Sequence, residues 1–259
     1  MFSVTGVANN YKQPRGGYLS IKQFNKIVVD DGNTLYESEN IHATLVGLVV
    51  DYLTRLNLGN KAEDVFSVSL RGASKLDNYN GDCISSSNAK SLLSNIKGID
   101  TESIISACKL VGYDTVARSG VNGYKPVSEI EPDENTIKNI EIMVKRSLSF
   151  FNKYGPVVSS GFNFEGGYTR IVSSGDGDYL TKDCLWDFKV TKNEPTTKHT
   201  FQLLLYYIMG CHSIHKEFNN ISKIGIFNPR KNKVYTLDIQ NINKDIIDEV
   251  STCIIGYED

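Results

Sequence analysis

The chain reads as a mixed α/β (α+β) protein, a central sheet flanked by helices with a mostly helical insertion, and three observations predict this. From residue 38 to 153 apolar residues recur mainly at helical spacing. From Tyr154-Gly155-Pro156 onward, short strand-like runs take over. Their order after the preceding helix is strand, strand, strand, helix, strand, strand, which is a mixed α/β order. At 259 residues the chain is long enough for one large domain, so 1–259 is taken as a single domain with residues 77–153 as an insertion or lid.

In chain order, residues 1–36 are expected to form an arm with one or two edge strands, the clearest being Lys26-Ile27-Val28-Val29. Residues 38–58 predict a buried helix, with Ser38 or Asn40 as its cap and Gly59 as its stop. Its apolar face carries Leu45, Val46, Val49, Val50, Leu53 and Leu56, with Asp51 and Arg55 one turn apart on the flank. Residues 66–70 alternate like a strand, or belong to a loop over the core, and 71–74 read as a turn. Residues 77–83 read as a loop, and helices are expected near 87–97, 101–112 and 134–153, with a connector over 120–132. Strands are then expected over 168–172, 177–180 and 185–190, and a helix over 200–208. Two strands, 221–228 and 234–239, are joined by the turn Pro229-Arg230-Lys231-Asn232, and a short helix over 242–255 closes the chain.

Composition narrows the function classes. A formal net charge of -2 neither favours nor opposes a nucleic-acid partner, since charge can be unevenly distributed. No apolar run reaches the length of a membrane span, and the first residues do not have the pattern of a signal peptide. Five scattered cysteines without a C-x-x-C suggest reduced thiols and a cytoplasmic setting, not a disulfide framework or a zinc or iron–sulfur centre. Gly166-Gly167 lacks the setting of a phosphate loop.

The chemistry-bearing residues cluster in the second half. Leu185, Asp187 and Lys189 point one way from a pleated strand, while Trp186, Phe188 and Val190 point the other. A carboxylate and an ammonium on one face of an apolar strand are costly to bury without compensation, and a bound metal ion would compensate. Asp178 lies nine residues before Asp187, enough for a strand to end, turn and return. Phosphodiester hydrolysis uses a metal to polarise a phosphoryl oxygen and lower the pKa of a water. Magnesium accepts two or three carboxylates and keeps its remaining waters. A neighbouring lysine can orient that water or stabilise charge on phosphorus.

Gly175-Asp176-Gly177-Asp178, Asp187-Phe188-Lys189 and Gln202-Leu203-Leu204-Leu205-Tyr206 occur in the order and spacing of the G-x-x-D, (D/E)-x-K and Q-x-x-x-Y motifs. In these residues the chain resembles the PD-(D/E)XK nuclease superfamily, its RecB-like exonuclease branch in particular, over roughly residues 160–240 plus the early helix. The resemblance implies a restriction-endonuclease-like sheet and a Mg²⁺- or Mn²⁺-dependent deoxyribonuclease, more an exonuclease than an endonuclease. It assigns the metal to Asp178 and Asp187, the water to Lys189, and site-shaping or DNA contact to Gln202 and Tyr206. Gly47-Leu48-Val49-Val50-Asp51 has the spacing of the family's early-helix motif, with aspartate where histidine or glutamate is usual, and makes Asp51 a third candidate ligand; His42, more than two turns earlier, ranks lower.

Plainer readings stand beside these. Asp178 could be a turn aspartate in competition with Asp176, and Asp187 with Lys189 could be a surface pair worth ~0–1 kcal/mol. Gln202 and Tyr206 could be an exposed amide and a core phenol sharing a helix face, and Asp51 could pair with Arg55. Lys192, Lys198, His199 and Arg230 could touch phosphates or simply be solvated. The rival function is a nuclease-like module that binds nucleic acid or a protein partner without cutting. A restriction-type endonuclease is a second rival. No membrane partner is expected, and the sequence does not fix an oligomeric state.

Overall fold

A computed structural model of the chain describes residues 2–258. β1 (Phe2–Ser3) leads into α1 (Val4–Asn10), a 3-10 turn and β2 (Asn25–Val28). There follow α2 (Ala43–Asn57), α3 (Ala62–Val65), α4 (Ser67–Asn80), α5 (Ile84–Asn95), α6 (Thr101–Val111), α7 (Asp114–Ser119) and α8 (Glu134–Tyr154). Then come β3 (Val157–Asn163), β4 (Val172–Ser174), β5 (Asp176–Thr181), β6 (Cys184–Phe188), α9 (Thr197–Cys211), β7 (Lys223–Asn228), β8 (Lys233–Asp238), α10 (Lys244–Glu249) and a π-helical segment (Val250–Ile255). The fold is mixed α/β. The chain divides into two compact units, Met1–Asp30 with Phe150–Asp259, and Asp31–Ser149.

The first unit is built on a six-stranded sheet of order β2-β8-β7-β6-β5-β3, antiparallel except for the β6–β7 pair. Alternation along the strands sends two sets of side chains to opposite faces. Leu180, Leu185, Ile224, Ile226 and Tyr235 join Phe201, Leu204 and Leu205 of α9 in one core. On the other face Trp186, Phe188 and Phe227 meet the ring of Phe150, at 4.8, 5.5 and 4.3 Å between centroids. A separate parallel pair, β1 with β4, holds the N-terminal residues.

The second unit is helical and anchored by buried polar groups. Asp114 accepts hydrogen bonds from Tyr52 Oη (2.7 Å) and Ser69 Oγ (2.5 Å), tying α7 to α2 and α4. Arg146 of α8 forms a two-pronged pair with Asp31 at 2.8 and 2.9 Å. Asp77 near the end of α4 accepts the Ser85 and Ser86 amides in the first turn of α5.

Several expectations change against this frame. The early helix begins at Ala43, because the His42 side chain caps it by accepting from Thr44 N at 3.2 Å. Asn40 instead accepts from Asp133 N and Thr136 Oγ1 at the start of α8. Residues 66–74 are neither strand nor turn but helix α4 after a one-residue cap. Its buried stripe is Phe66, Ser69, Ala73 and Leu76, whose small and polar members hide the helical period. Gly72, read as part of a turn, lets α4 and α7 approach closely, since a Cβ there would lie 2.0 Å from the Tyr113 carbonyl oxygen. Residue 77, the expected start of the insertion, falls in the last turn of α4, whereas the helical unit begins at Asp31.

Residues 168–172 do not form the expected strand. Thr169 Oγ1 accepts from Ile171 N (3.1 Å) and Val172 N (3.0 Å), taking amides that a ladder would need. On the side of β5 away from β6 lies β3, absent from the reading along with α1, α3 and α7. The helices expected near 87–97, 101–112 and 134–153, the hairpin β7–β8 and the edge strand β2 are present with small shifts at their ends. No helix among the described residues is long and apolar enough to cross a membrane.

Candidate active site

Two adjacent antiparallel strands bring the first carboxylates together. Leu180 pairs with Leu185 and Tyr179 with Trp186, and Asp178 comes one residue before this paired stretch on β5 while Asp187 comes one residue after it on β6. Both aspartates fall on the α9 face, in phase with the core residues Leu180 and Leu185. Beyond the Tyr179–Trp186 pair, Phe188 N donates to Asp178 Oδ2 at 2.7 Å. That bond fixes the Asp178 carboxylate against the end of β6, while Asp176, its competitor in the sequence, is exposed.

The glycine of the first motif has a steric role. A Cβ on Gly175 would lie 2.6 Å from Val4 Cγ2, so only glycine allows α1 to lie against the chain entering β5. Tyr168 Oη donates to Gly175 O at 2.9 Å and holds the same turn.

Asp187 is 1% exposed. Lys189 Nζ donates to its Oδ1 at 2.8 Å, while its Oδ2 is buried without a hydrogen-bond partner. An orphaned carboxylate oxygen in an interior is costly. Lys189 leaves the end of β6 with its amide bonded to Phe227 O of β7 at 2.9 Å. Its ammonium also donates to Gln202 Oε1 at 3.1 Å. Burial would lower the pKa of this ammonium, but Asp187 and then Asp178 outweigh it and hold the value above that of an ordinary lysine. Lys189 is therefore a fixed positive charge at neutral pH, suited to orienting a water or an anion and unsuited to accepting a proton.

Helix α9 supplies the third motif. Gln202 Nε2 donates to Tyr206 Oη at 2.7 Å and to Thr5 Oγ1 at 3.2 Å. The Lys189 ammonium can only donate, so it holds the Gln202 carbonyl on its own side and leaves the amide nitrogen to the two hydroxyls. Tyr206 is buried and stacked on Phe164 at 5.1 Å. Burial first, and then Asp178 and Asp187, push its phenol well above the usual tyrosine value, so it keeps its proton. The reading of Gln202 as an exposed amide does not hold, since it is 8% exposed.

Thr5 is the residue that the sequence did not signal. It lies on α1, far from the motifs in sequence, and a lone threonine in a short helix carries no pattern. His199, one turn before Gln202, accepts from Thr196 N through Nδ1 at 3.1 Å. Burial, with the Lys189 charge beside it, holds His199 below the usual histidine value against the opposing pull of Asp187. Its neutral form then carries the proton on Nε2.

Asp51 belongs to the helical unit, on α2, where Arg55 engages it at 2.7 Å. His42 is the cap of that helix. Among the described residues no three or more His, Cys, Asp or Glu side chains gather as a metal-holding group. In the first unit Asp178 and Asp187 are the carboxylates that could serve as oxygen donors to a cation, and one Asp187 oxygen is unpartnered. This set suits a magnesium-type ion that keeps most of its waters. No family model matches the chain, and no curated protein or solved structure matches it.

Proposed function

We propose that the protein is a metal-dependent nuclease that hydrolyses phosphodiester bonds in DNA. The observation that carries this reading is Asp187: a buried carboxylate with one oxygen on Lys189 and the other unpartnered, with Asp178 acting on the same ammonium. Asp178 and Asp187 would hold Mg²⁺ or Mn²⁺, which when bound polarises the phosphoryl oxygen and lowers the pKa of a water. The Lys189 ammonium orients the attacking water and stabilises the negative charge that builds on phosphorus. Gln202 holds Lys189 in place through its carbonyl, and Tyr206 anchors the other end of the same amide. Exonuclease action is favoured over endonuclease action by the resemblance of the three motifs.

The test is degradation of linear and circular plasmid DNA with Mg²⁺ or Mn²⁺, comparing wild type with Lys189→Ala. Wild type should shorten linear DNA progressively and the variant should be at least 100-fold slower, about the effect of removing one transition-state charge partner. Equal inertness of both proteins across metals and substrates would overturn the reading. Discrete fragments would point to a sequence-specific endonuclease.

A second reading is a nuclease-like module that binds DNA without cutting it. Metal-independent DNA binding with no cleavage would establish it.

A further inference from the structure

One exposed carboxylate in the first unit gathers three lysines. Glu194, in the loop that leaves Lys189 for α9, lies 3.5 Å from Lys26 Nζ on β2, 3.3 Å from Lys231 Nζ and 2.5 Å from Lys233 Nζ on β8. Tyr235 Oη also donates to it. Hydrogen bonds from Lys233 and then Tyr235 hold the Glu194 carboxyl down at about 2, so it is ionised at any working pH. It cancels one of the three lysine charges and leaves two uncompensated by itself. Solvent still reaches every member of the cluster and screens the pairs, and three like charges drawn to one point repel one another.

The cluster is tied to the candidate active site through the backbone. Asn228 at the end of β7 donates to Thr191 O at 2.8 Å and accepts from Arg230 N and Lys231 N at 3.0 and 3.3 Å. The β7–β8 turn is thereby pinned to the loop that begins at Lys189. β6 and β7 run parallel, so that loop and that turn leave the same end of the sheet. Lys192 lies on the same connection and Lys198 in the first turn of α9, and both are exposed.

We propose that Lys26, Lys231 and Lys233, arranged around Glu194, form a track for the phosphate backbone of DNA leading to the catalytic lysine. The choice of DNA as the polyanion rests on the nuclease reading. Glu194 keeps the three ammonium groups spaced and ordered when no DNA is bound, and backbone phosphates take up the surplus charge. Contacts of this type position a nucleic acid without reading its sequence.

The experiment measures binding of a fluorescein-labelled DNA duplex by anisotropy in EDTA, from about 50 to 200 mM KCl. Wild type, Lys231→Ala/Lys233→Ala and Glu194→Gln are compared, and a thermal melt is run on each. The double variant should bind at least tenfold more weakly at low salt, with a log Kd against log salt slope shallower by about 2. Glu194→Gln removes a negative charge and should bind more tightly, a direction that damage to the fold would not produce. An unchanged slope in the double variant, weaker binding by Glu194→Gln, or no binding by wild type would each overturn the track. Loss of Mg²⁺-dependent degradation in every assay, with the slope still changing as expected, would overturn the hydrolysis reading and leave the track standing.

Discussion

At Gln202 a single amide joins three side chains. Its carbonyl takes Lys189, and its nitrogen serves Tyr206 and Thr5. Removing the Thr5 acceptor leaves the amide with one fewer restraint. On the proposed nuclease reading, Thr5→Val should therefore lower kcat about tenfold, roughly 1.4 kcal/mol, with KM and melting temperature unchanged, while Thr5→Ser keeps wild-type rates. Steady-state cleavage kinetics check this, and a wild-type kcat for Thr5→Val would remove Thr5 from the machinery. For Lys189 the sign follows from its raised pKa. The ion pair contributes fully below the unfolded lysine value of about 10.4 and is lost as pH climbs through the higher folded value. The gap in melting temperature between wild type and Lys189→Met should hold steady over roughly pH 6 to 9 and shrink above about 10.5. A gap that closes by pH 8 would show a lysine already losing its proton.

Among the elements, α5 depends on a residue outside itself. Asp77 of α4 accepts from Ser85 N and Ser86 N at 2.7 and 2.9 Å. Burial pushes the Asp77 carboxyl up, but bonds from Ser86 and Ser85 outweigh it and draw it down to about 2. Its stabilisation is then present above the ordinary aspartate value of about 3.9 and lost as pH falls toward about 2. Asp77→Ala should cost about 1–3 kcal/mol at neutral pH, since two helix-start amides lose a charged acceptor. Urea unfolding at pH 7 and at pH 3 checks this, with the difference between the proteins smaller at the lower pH. The same α4 shows why its helix was illegible: a stripe made of Phe66, Ser69, Ala73 and Leu76 has too few large apolar members to reveal a period, while Phe66, Val68 and Leu70 imitate a strand.

For the molecule as a whole, burial is concentrated in the central strands of the sheet. β7 is buried at all but its first residue and β6 at all but its last, whereas β2 is an edge strand with mostly exposed side chains. Hydrogen exchange should accordingly be slowest at amides of β6 and β7, which need unfolding of the first unit to open, and fast along the outer side of β2. Equal protection of β2 and β7 would contradict this order.

The sequence by itself determined the class of fold, the long helices, the hairpin β7–β8 and the pairing of Asp187 with Lys189 on one face. Each depends on local periodicity or turn chemistry, which a chain carries in its order of residues. It also marked Asp178 ahead of Asp187 by spacing, and Gln202 four residues before Tyr206. What only the tertiary structure decided depends on groups distant in sequence. It set Thr5 on the Gln202 amide, left Asp187 Oδ2 without a partner, and drew Lys26, Lys231 and Lys233 around Glu194. It also gave Asp51 to Arg55 and placed Asn40 at the start of α8. A hydrogen bond or ion pair between remote residues has no period and no spacing, so it becomes visible only when the sheet and helices have closed around it.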